Sequence, residues 1–481
     1  MAGTKDRDPF LDHRHFARAC RIEYLENTMK RTNHVRGRKV TVLGLGKSGI
    51  AACRLLSKGG AIVFGSDSGK PQIARADFTY ETGGHSDRIF DADLVVVSPG
   101  IPTDHPVLKE ARERGVEIIG EIELAAQHFD GTIIAVTGTN GKTTTAALMK
   151  SMLDESGMKA ALGGNIAPGF PLSEVVLTAD RDTVVVAEIS TFQLETIKTF
   201  KPHIGIITNI SPDHLDRHKD FDTYVGLKRK LFVNQSEDDF CILNFDQAVT
   251  RKTEVLVHSR VFYFSIHQTI QNGTYLSGDT VYFARNGRNS VLFSKDDVLL
   301  PGMHNLENVL AASTAAMLAG CDPGAVKRAV RQFSGVPHRL ELVRKIRGVT
   351  FINNSMCTNP VAFKRSLEGV PHPFVLICGG RNKNLALEQM VKPITTAKFT
   401  VIIGESSVPL SQALKRIGYS RFAIAHSMGE ATSVAAAHAE SGDTVLLSPG
   451  GSSFDMFEDF ADRGEQFKES VRRLTNGALK R

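Results

Sequence analysis

The stretch Ile133-Ile134-Ala135-Val136-Thr137-Gly138-Thr139-Asn140-Gly141-Lys142-Thr143-Thr144 constrains this chain more than any other. Its apolar, β-branched start reads as a buried strand that ends in a glycine-rich turn. Beyond the turn, Thr145, Met149, Met152 and Leu153 recur at helical spacing. Strand, tight glycine loop and helix start are what a polyphosphate-cradling loop requires. Backbone N–H groups can approach the phosphates, and the helix N-terminus contributes partial positive charge. Lys142 adds a full charge, and the Thr143 hydroxyl is placed to reach Mg²⁺. Val136 stands where the strict Walker pattern has glycine, so the loop is a shortened variant.

With 481 residues the chain has room for about three domains. Its six cysteines (Cys20, Cys53, Cys241, Cys321, Cys357, Cys378) form no C-x-x-C pair. That argues against a disulfide framework or a zinc site and for a reducing cytoplasm. No run of about 18 apolar residues offers a membrane span. The net charge of +6 is concentrated at the start, where residues 1–40 hold ten Lys/Arg against five acids. The remainder is nearly neutral, which argues against a nucleic-acid partner. Residues 1–38 lack the apolar stretch of a signal peptide. They read as a basic, disordered extension, or as residues upstream of a start at Met29.

Taken in order, Lys39-Val40-Thr41-Val42-Leu43 runs into Gly44-Leu45-Gly46-Lys47-Ser48-Gly49, a G-x-G-x-x-G turn followed by helical text to Leu56. Asp67 ends the next apolar run, at about the distance where an acid meets a ribose hydroxyl. Alone this suggests NAD, but the turn specifies only close approach to a pyrophosphate, which a UDP-sugar also carries. Leu94–Val97 ends in Ser98-Pro99-Gly100-Ile101-Pro102, at the carboxyl end of a parallel strand where ligands bind. After the phosphate loop, the next strand expected is Thr183–Ala187. It delivers Glu188 to the edge carrying Lys142, a natural place for a Mg²⁺ ligand. Ile204–Ile210 opens into Ser211-Pro212-Asp213-His214-Leu215-Asp216-Arg217-His218, an ionisable cluster. Lys228 follows on helical text and, by residue type alone, is an ordinary exposed lysine. A further set of strands (Val349–Ile352, Phe374–Ile377, Phe399–Ile403, Val445–Leu447) forms a third α/β unit. Three nucleotide-like lobes can hold different ligands and react them.

These motifs resemble the Mur ligase family, from Lys39 to the C-terminus. They include Gly-Thr-Asn-Gly-Lys-Thr-Thr at 138–144, Ser-Thr-Phe-Gln-Leu-Glu at 190–195, Asn-Ile-Ser-Pro-Asp-His-Leu-Asp-Arg at 209–217, His-Asn-Leu-Glu-Asn at 304–308 and Pro-His-Arg at 337–339. Ser-Pro-Gly-Ile at 98–101, Gly-Glu-Ile-Glu-Leu at 120–124 and Ser-Phe-Asp-Met-Phe at 453–457 point to its D-glutamate-adding branch. The resemblance implies an α/β fold in three domains: a Rossmann-like UDP-binding domain (39–121), a central P-loop ATPase-like domain (122–335) and a Rossmann-like C-terminal domain (336–481). It implies an ATP-dependent amide ligase that adds D-glutamate to UDP-N-acetylmuramoyl-L-alanine through an acyl phosphate. The enzyme would be a cytoplasmic monomer of peptidoglycan precursor synthesis.

By the same resemblance, Gly138, Thr139, Asn140, Gly141, Lys142, Thr143, Thr144, Asn305, Arg339 and Asn354 contact ATP. Thr143, Glu188, His214 and a carbamylated Lys228 serve Mg²⁺, two ions in all. Leu45, Lys47, Asp67, Ser68, Gly100 and Asn165 hold the UDP substrate, and Thr358, Lys383, Ser453 and Phe460 hold the amino acid. Lys142, His214 and Lys228 are the catalytic set. Two positions depart from the branch: Asn354 replaces an acid and Met356 replaces a lysine that pairs with a substrate carboxylate. These departures keep open a paralogue with the same chemistry and another amino acid or acceptor. An NAD oxidoreductase, suggested by Gly44–Gly49 alone, and a simple NTPase are the readings from other classes.

Overall fold

The computed structural model describes residues 35–71, 73, 76–166, 169–300, 302–381 and 388–474. The expected extension therefore lies outside the described residues up to position 34. Val35, however, is only 3% exposed and belongs to the first core, so ordered structure begins before Lys39. The chain divides into two compact units, with the break between Arg331 and Gln332.

The first unit contains two sheets. The first has β1 (Lys39–Leu43), β2 (Ile62–Asp67), β3 (Thr79–Thr82), β4 (Leu94–Val97) and β5 (Glu117–Gly120), in the order β3-β2-β1-β4-β5 and all parallel. The chain reverses its direction of winding between β1 and β4, so a crevice opens beyond their carboxyl ends. The two loops meet there, where Ser98 Oγ donates to the Gly44 carbonyl at 2.7 Å. A Cβ on Gly49 would lie 1.8 Å from that same carbonyl oxygen, which is why the third glycine is obligatory.

The second sheet has nine strands: β6 (Ile133–Thr137), β7 (Ala160–Gly164), β8 (Val184–Glu188), β9 (Ile204–Ile207), β10 (Phe240–Asn244), β11 (Arg260–Ser265), β12 (Gly273–Ser277), β13 (Thr280–Arg285) and β14 (Arg288–Ser294). β6 lies between β8 and β9 with every residue buried, as its unbroken apolar run requires. The sequence reading placed no strand between β6 and β8. β7 is nonetheless there, at the sheet edge beside β8, built from Ala-Ala-Leu-Gly-Gly with no β-branched residue to announce it. β12 to β14 form an antiparallel meander whose last turn is Asn286-Gly287, both at positive φ, the hairpin chemistry that Asn-Gly encodes.

Between the sheets runs the helix Glu121–Gln127, whose two acids are both buried. The Glu123 carboxylate accepts the amides of Lys198, Thr199 and Phe200, so its pKa falls although burial alone would raise it. Glu121 accepts only from Ser173, its Oε2 has no partner, and burial pushes its carboxyl up to about 6. Below the ordinary carboxylate range both states of the chain carry this proton. Between about pH 4.5 and 6 the unfolded chain releases it first, and above 6 the folded state carries the full penalty. Glu121→Gln is therefore expected to stabilise the protein by about 2 kcal/mol at pH 8 and by little at pH 4. Denaturant unfolding at the two pH values measures this, and an equal effect at both would contradict it.

The second unit is a six-stranded sheet: β15 (Glu341–Ile346), β16 (Val349–Asn353), β17 (Phe374–Gly379), β18 (Phe399–Ile403), β19 (Phe422–Ala425) and β20 (Thr444–Gly450). The order is β15-β16-β20-β17-β18-β19, with β15 antiparallel and the rest parallel. Among the described residues no helix is long and apolar enough to cross a membrane.

Candidate active site

The loop after β6 is folded around its own lysine. Lys142 Nζ donates to the carbonyls of Gly138 and Thr139, both at 2.9 Å. Gly138 and Gly141 sit at φ +149° and +81°, and a Cβ on either would strike Thr208 Oγ1 or Asn308 Oδ1 at 1.9 or 2.0 Å. The loop is thus a glycine cradle held by neighbours on the sheet. Asn209 clamps Asn140 with two hydrogen bonds, Asn140 N donating to Asn209 Oδ1 and Asn209 Nδ2 to the Asn140 carbonyl, at 2.9 and 3.0 Å. Thr144 is half-buried on the helix Lys142–Glu155 that the cradle opens. Asn305 lies on the helix Met303–Leu318, where its Oδ1 accepts from Asn308 Nδ2 at 3.4 Å.

Thr143 and Glu188 are both 3% exposed, and the Thr143 hydroxyl donates to Glu188 Oε2 at 2.6 Å. A hydroxyl and a carboxylate side by side at a phosphate cradle are the hard oxygen donors Mg²⁺ prefers. That ion keeps several waters and needs few protein ligands. His214 lies in the loop after β9 at φ +52°, with Nε2 3.6 Å from Asp213 Oδ2. Among the described residues no group of three or more His, Cys, Asp or Glu is gathered around one metal position. Two protein oxygens, with phosphate oxygens and water, make up the set the residues fit.

Lys228 departs most from its sequence reading. It is 2% exposed rather than an ordinary surface lysine. Burial, and then the neighbouring Lys142 charge, push its ammonium down to about 6, with Asp213 opposing. Its Nζ lies 4.5 Å over the ring of Tyr224, whose hydroxyl is 3.1 Å from Thr139 Oγ1 in the phosphate loop. Tyr224 and Asn308 were not singled out in the sequence. Tyr224 is four residues before Lys228 on the same helix, Phe221–Arg229, so it shares that lysine's face; Asn308 follows Asn305 by three.

In the first sheet, Leu45 is buried and its amide donates to Asp67 Oδ2 at 2.6 Å, while the Gly69 amide takes Oδ1 at 2.7 Å. Both Asp67 oxygens thus already hold the loop closed. Lys47, Ser68 and Gly100 are exposed around this crevice. Asn165, exposed after β7, donates its backbone N–H to the Glu188 carbonyl at 2.7 Å, which brings together two residues that the sequence reading assigns to different ligands.

In the second unit, Arg339 is exposed and Asn354 is 7% exposed. The Asn354 amide is used internally: Oδ1 accepts from the Leu340 amide at 3.2 Å, and Nδ2 donates to Ser448 Oγ at 3.3 Å. Thr358 and Met356 are half-buried, Ser453 is buried, and Lys383 lies outside the described residues. The half-buried Phe460 accepts from Ser355 Oγ through its carbonyl, at 2.7 Å. A fully buried arginine, Arg463, ties these loops together through Ser355 Oγ (3.0 Å), the Ser355 carbonyl (2.8 Å) and the Gly451 carbonyl (3.1 Å).

Three family profiles match the chain: a Mur ligase MurD-like N-terminal domain over residues 38–120, a Mur ligase middle domain over 136–316 and a Mur ligase glutamate ligase domain over 338–451. Proteins named UDP-N-acetylmuramoylalanine–D-glutamate ligase are 41% identical in Pelotomaculum thermopropionicum, over 92% of this chain and 98% of the relative. Those of Koribacter versatilis (41%, 92% and 98%) and Thermoanaerobacter sp. (39%, 92% and 99%) match to the same extent. A solved MurF from Acinetobacter baumannii shares the fold at 14% identity and a TM-score of 0.51, over 91% of this chain and 92% of that one. With profiles over most of its length and relatives at this identity, the chain belongs to the Mur ligase family.

Proposed function

We propose that the protein is an ATP-dependent, ADP-forming ligase that joins D-glutamate to UDP-N-acetylmuramoyl-L-alanine in the cytoplasm. The observation that carries the reading is the Thr143–Glu188 pair at 2.6 Å beside the Lys142 cradle, with a nearly uncharged Lys228 buried next to it. Phosphoryl transfer needs positioning and charge neutralisation more than a covalent catalyst. The acceptor carboxylate attacks the γ-phosphorus, forming an acyl phosphate as the bond to ADP breaks. The amine of D-glutamate then attacks the acyl carbon, phosphate leaves with its electron pair, and the amine sheds a proton. Lys142 and the loop amides take the phosphates, with Thr144, Asn305, Arg339 and Asn354 completing the ATP set. Mg²⁺, held by Thr143 and Glu188 and by His214 at a second position, neutralises phosphate charge when bound.

The surroundings of Lys228 support its carbamylation as part of this reading. A buried amine that loses its proton at about pH 6 is a free nucleophile at neutral pH. Its nitrogen can bond to the carbon of CO₂, with a proton released to solvent. The product is an anion, so repulsion from Lys142 becomes attraction and metal binding is favoured. Leu45, Lys47, Asp67, Ser68, Gly100 and Asn165 receive the UDP substrate; Thr358, Lys383, Ser453 and Phe460 receive the amino acid. Five described cysteines, all free and buried, suit a reducing compartment.

Phosphate release screened over amino acids of both chiralities tests the reading. Turnover is expected only when the UDP-muramoyl-alanine acceptor and D-glutamate are both present. Robust turnover with another amino acid and none with D-glutamate would overturn the substrate. ATP hydrolysis indifferent to amino acids would leave only an NTPase.

A further inference from the structure

Two loops of the first unit, Ser98–Pro102 after β4 and Asn209–His218 after β9, belong to different sheets, yet one side chain joins them. Arg217 donates from Nε (3.3 Å) and Nη2 (2.7 Å) to the two oxygens of Glu195, and from Nη2 to the Ile101 carbonyl at 3.3 Å. Its guanidinium lies 4.5 Å over the ring of Phe192, and that ring is 5.0 Å from His214. Glu195 is shared: its Oε1 is 3.4 Å from Nδ1 of the buried His218, whose Nε2 is 2.9 Å from Thr191 Oγ1. The His218 ring packs 5.7 Å from Tyr224, which reaches Thr139 in the phosphate loop. Contacts therefore run without a gap from the Ile101 carbonyl to the phosphate cradle.

We propose that Arg217 is a positioning residue that couples the acceptor site to the ATP site, so that each ligand binds more tightly when the other is in place. This rests on the acceptor being held at the Ser98–Pro102 loop, as in the function proposed above. The geometry suits an arginine. A planar fork gripped by a carboxylate on one side and an aromatic face on another has little freedom, so its remaining bond to a backbone carbonyl is directional. An acceptor bound against the loop that carries Ile101 would shift that carbonyl. Arg217 passes the change to Glu195 and Phe192, against which His218 and His214 are packed. Coupling of this kind is a free energy between sites and acts equally in both directions.

The test is calorimetric binding of UDP-N-acetylmuramoyl-L-alanine to the full chain, with and without a non-hydrolysable ATP analogue and Mg²⁺. In the parent, the analogue is expected to tighten acceptor binding by at least about fivefold. In Arg217→Met the ratio is expected to fall to within about twofold of unity, with Arg217→Lys between, because an ammonium keeps the charge and loses the fork. Glu195→Gln, which keeps its shape and removes the anion gripping Arg217, should reproduce the loss even if Arg217→Met fails to fold. Coupling kept at the parent's ratio in Arg217→Met or in Glu195→Gln, or absent from the parent, overturns the role of Arg217 and leaves the proposed ligase intact. A parent that does not bind the acceptor removes the ligase reading and the coupling with it.

Discussion

Lys228→Ala is expected to lower turnover by about 10³-fold, the scale on which one charge-stabilising group is felt in phosphoryl transfer. Short carboxylates such as formate or acetate should restore part of it by occupying the vacated volume with an anion. The expectation comes from the pocket: a side chain 2% exposed, beside Lys142, with Asp213 the acid that opposes that repulsion. An ammonium there would be costly, whereas a carbamate turns the Lys142 contact into an attraction. Protonation competes with CO₂ addition, so the modification should be favoured above the amine's pKa and lost as pH falls through about 6. Protein loaded with ¹³C-bicarbonate should show a carbamate carbon at pH 8 that fades below pH 6 and is missing from the variant. Undiminished turnover in Lys228→Ala, or failure to detect the carbamate in active protein, would remove Lys228 from the mechanism.

Much of the architecture was legible because the parallel strands are buried on both faces and so read as unbroken apolar runs, as in β4, β6, β8 and β17. The elements that escaped are those whose stability comes from position rather than composition. β7 is small-residue text at an edge, and β15 (Glu-Leu-Val-Arg-Lys-Ile) mixes charged and apolar residues without a period of two, beside a single partner. The site divides in the same way. Thr143 and Glu188 could be placed because a phosphate-loop strand and its neighbour must end at one edge. Lys228 could not be told from a surface lysine, because its pKa is lowered first by burial and then by Lys142, 86 positions away in sequence, and both arise only after folding. Asn354 is instructive in another sense. The sequence shows an amide where the family has an acid, but not that both ends of that amide are bonded to Leu340 and Ser448. An Asn there holds two loops together, a service that residue type alone does not reveal.

Gly141→Ala should weaken ATP binding by about 100-fold, the second large effect expected. Two costs add. At φ +81° an alanine pays roughly 1–2 kcal/mol of left-handed strain. Its Cβ would also sit 2.0 Å from Oδ1 and 2.8 Å from Cγ of Asn308, which is only 5% exposed and bonded to Asn305. Asn308 cannot swing away freely, so the cradle itself must shift. Phosphate recognition by backbone amides tolerates little displacement. Adding Asn308→Ala should remove the clash and leave the strain, recovering about tenfold, the remainder being the conformational part. Titration of a fluorescent ATP analogue against the parent, both single variants and the double variant resolves the two contributions. If Gly141→Ala binds ATP as tightly as the parent, the backbone amides around Gly141 are not the phosphate contacts. If the double variant recovers nothing, Asn308 is not what makes glycine obligatory at this position.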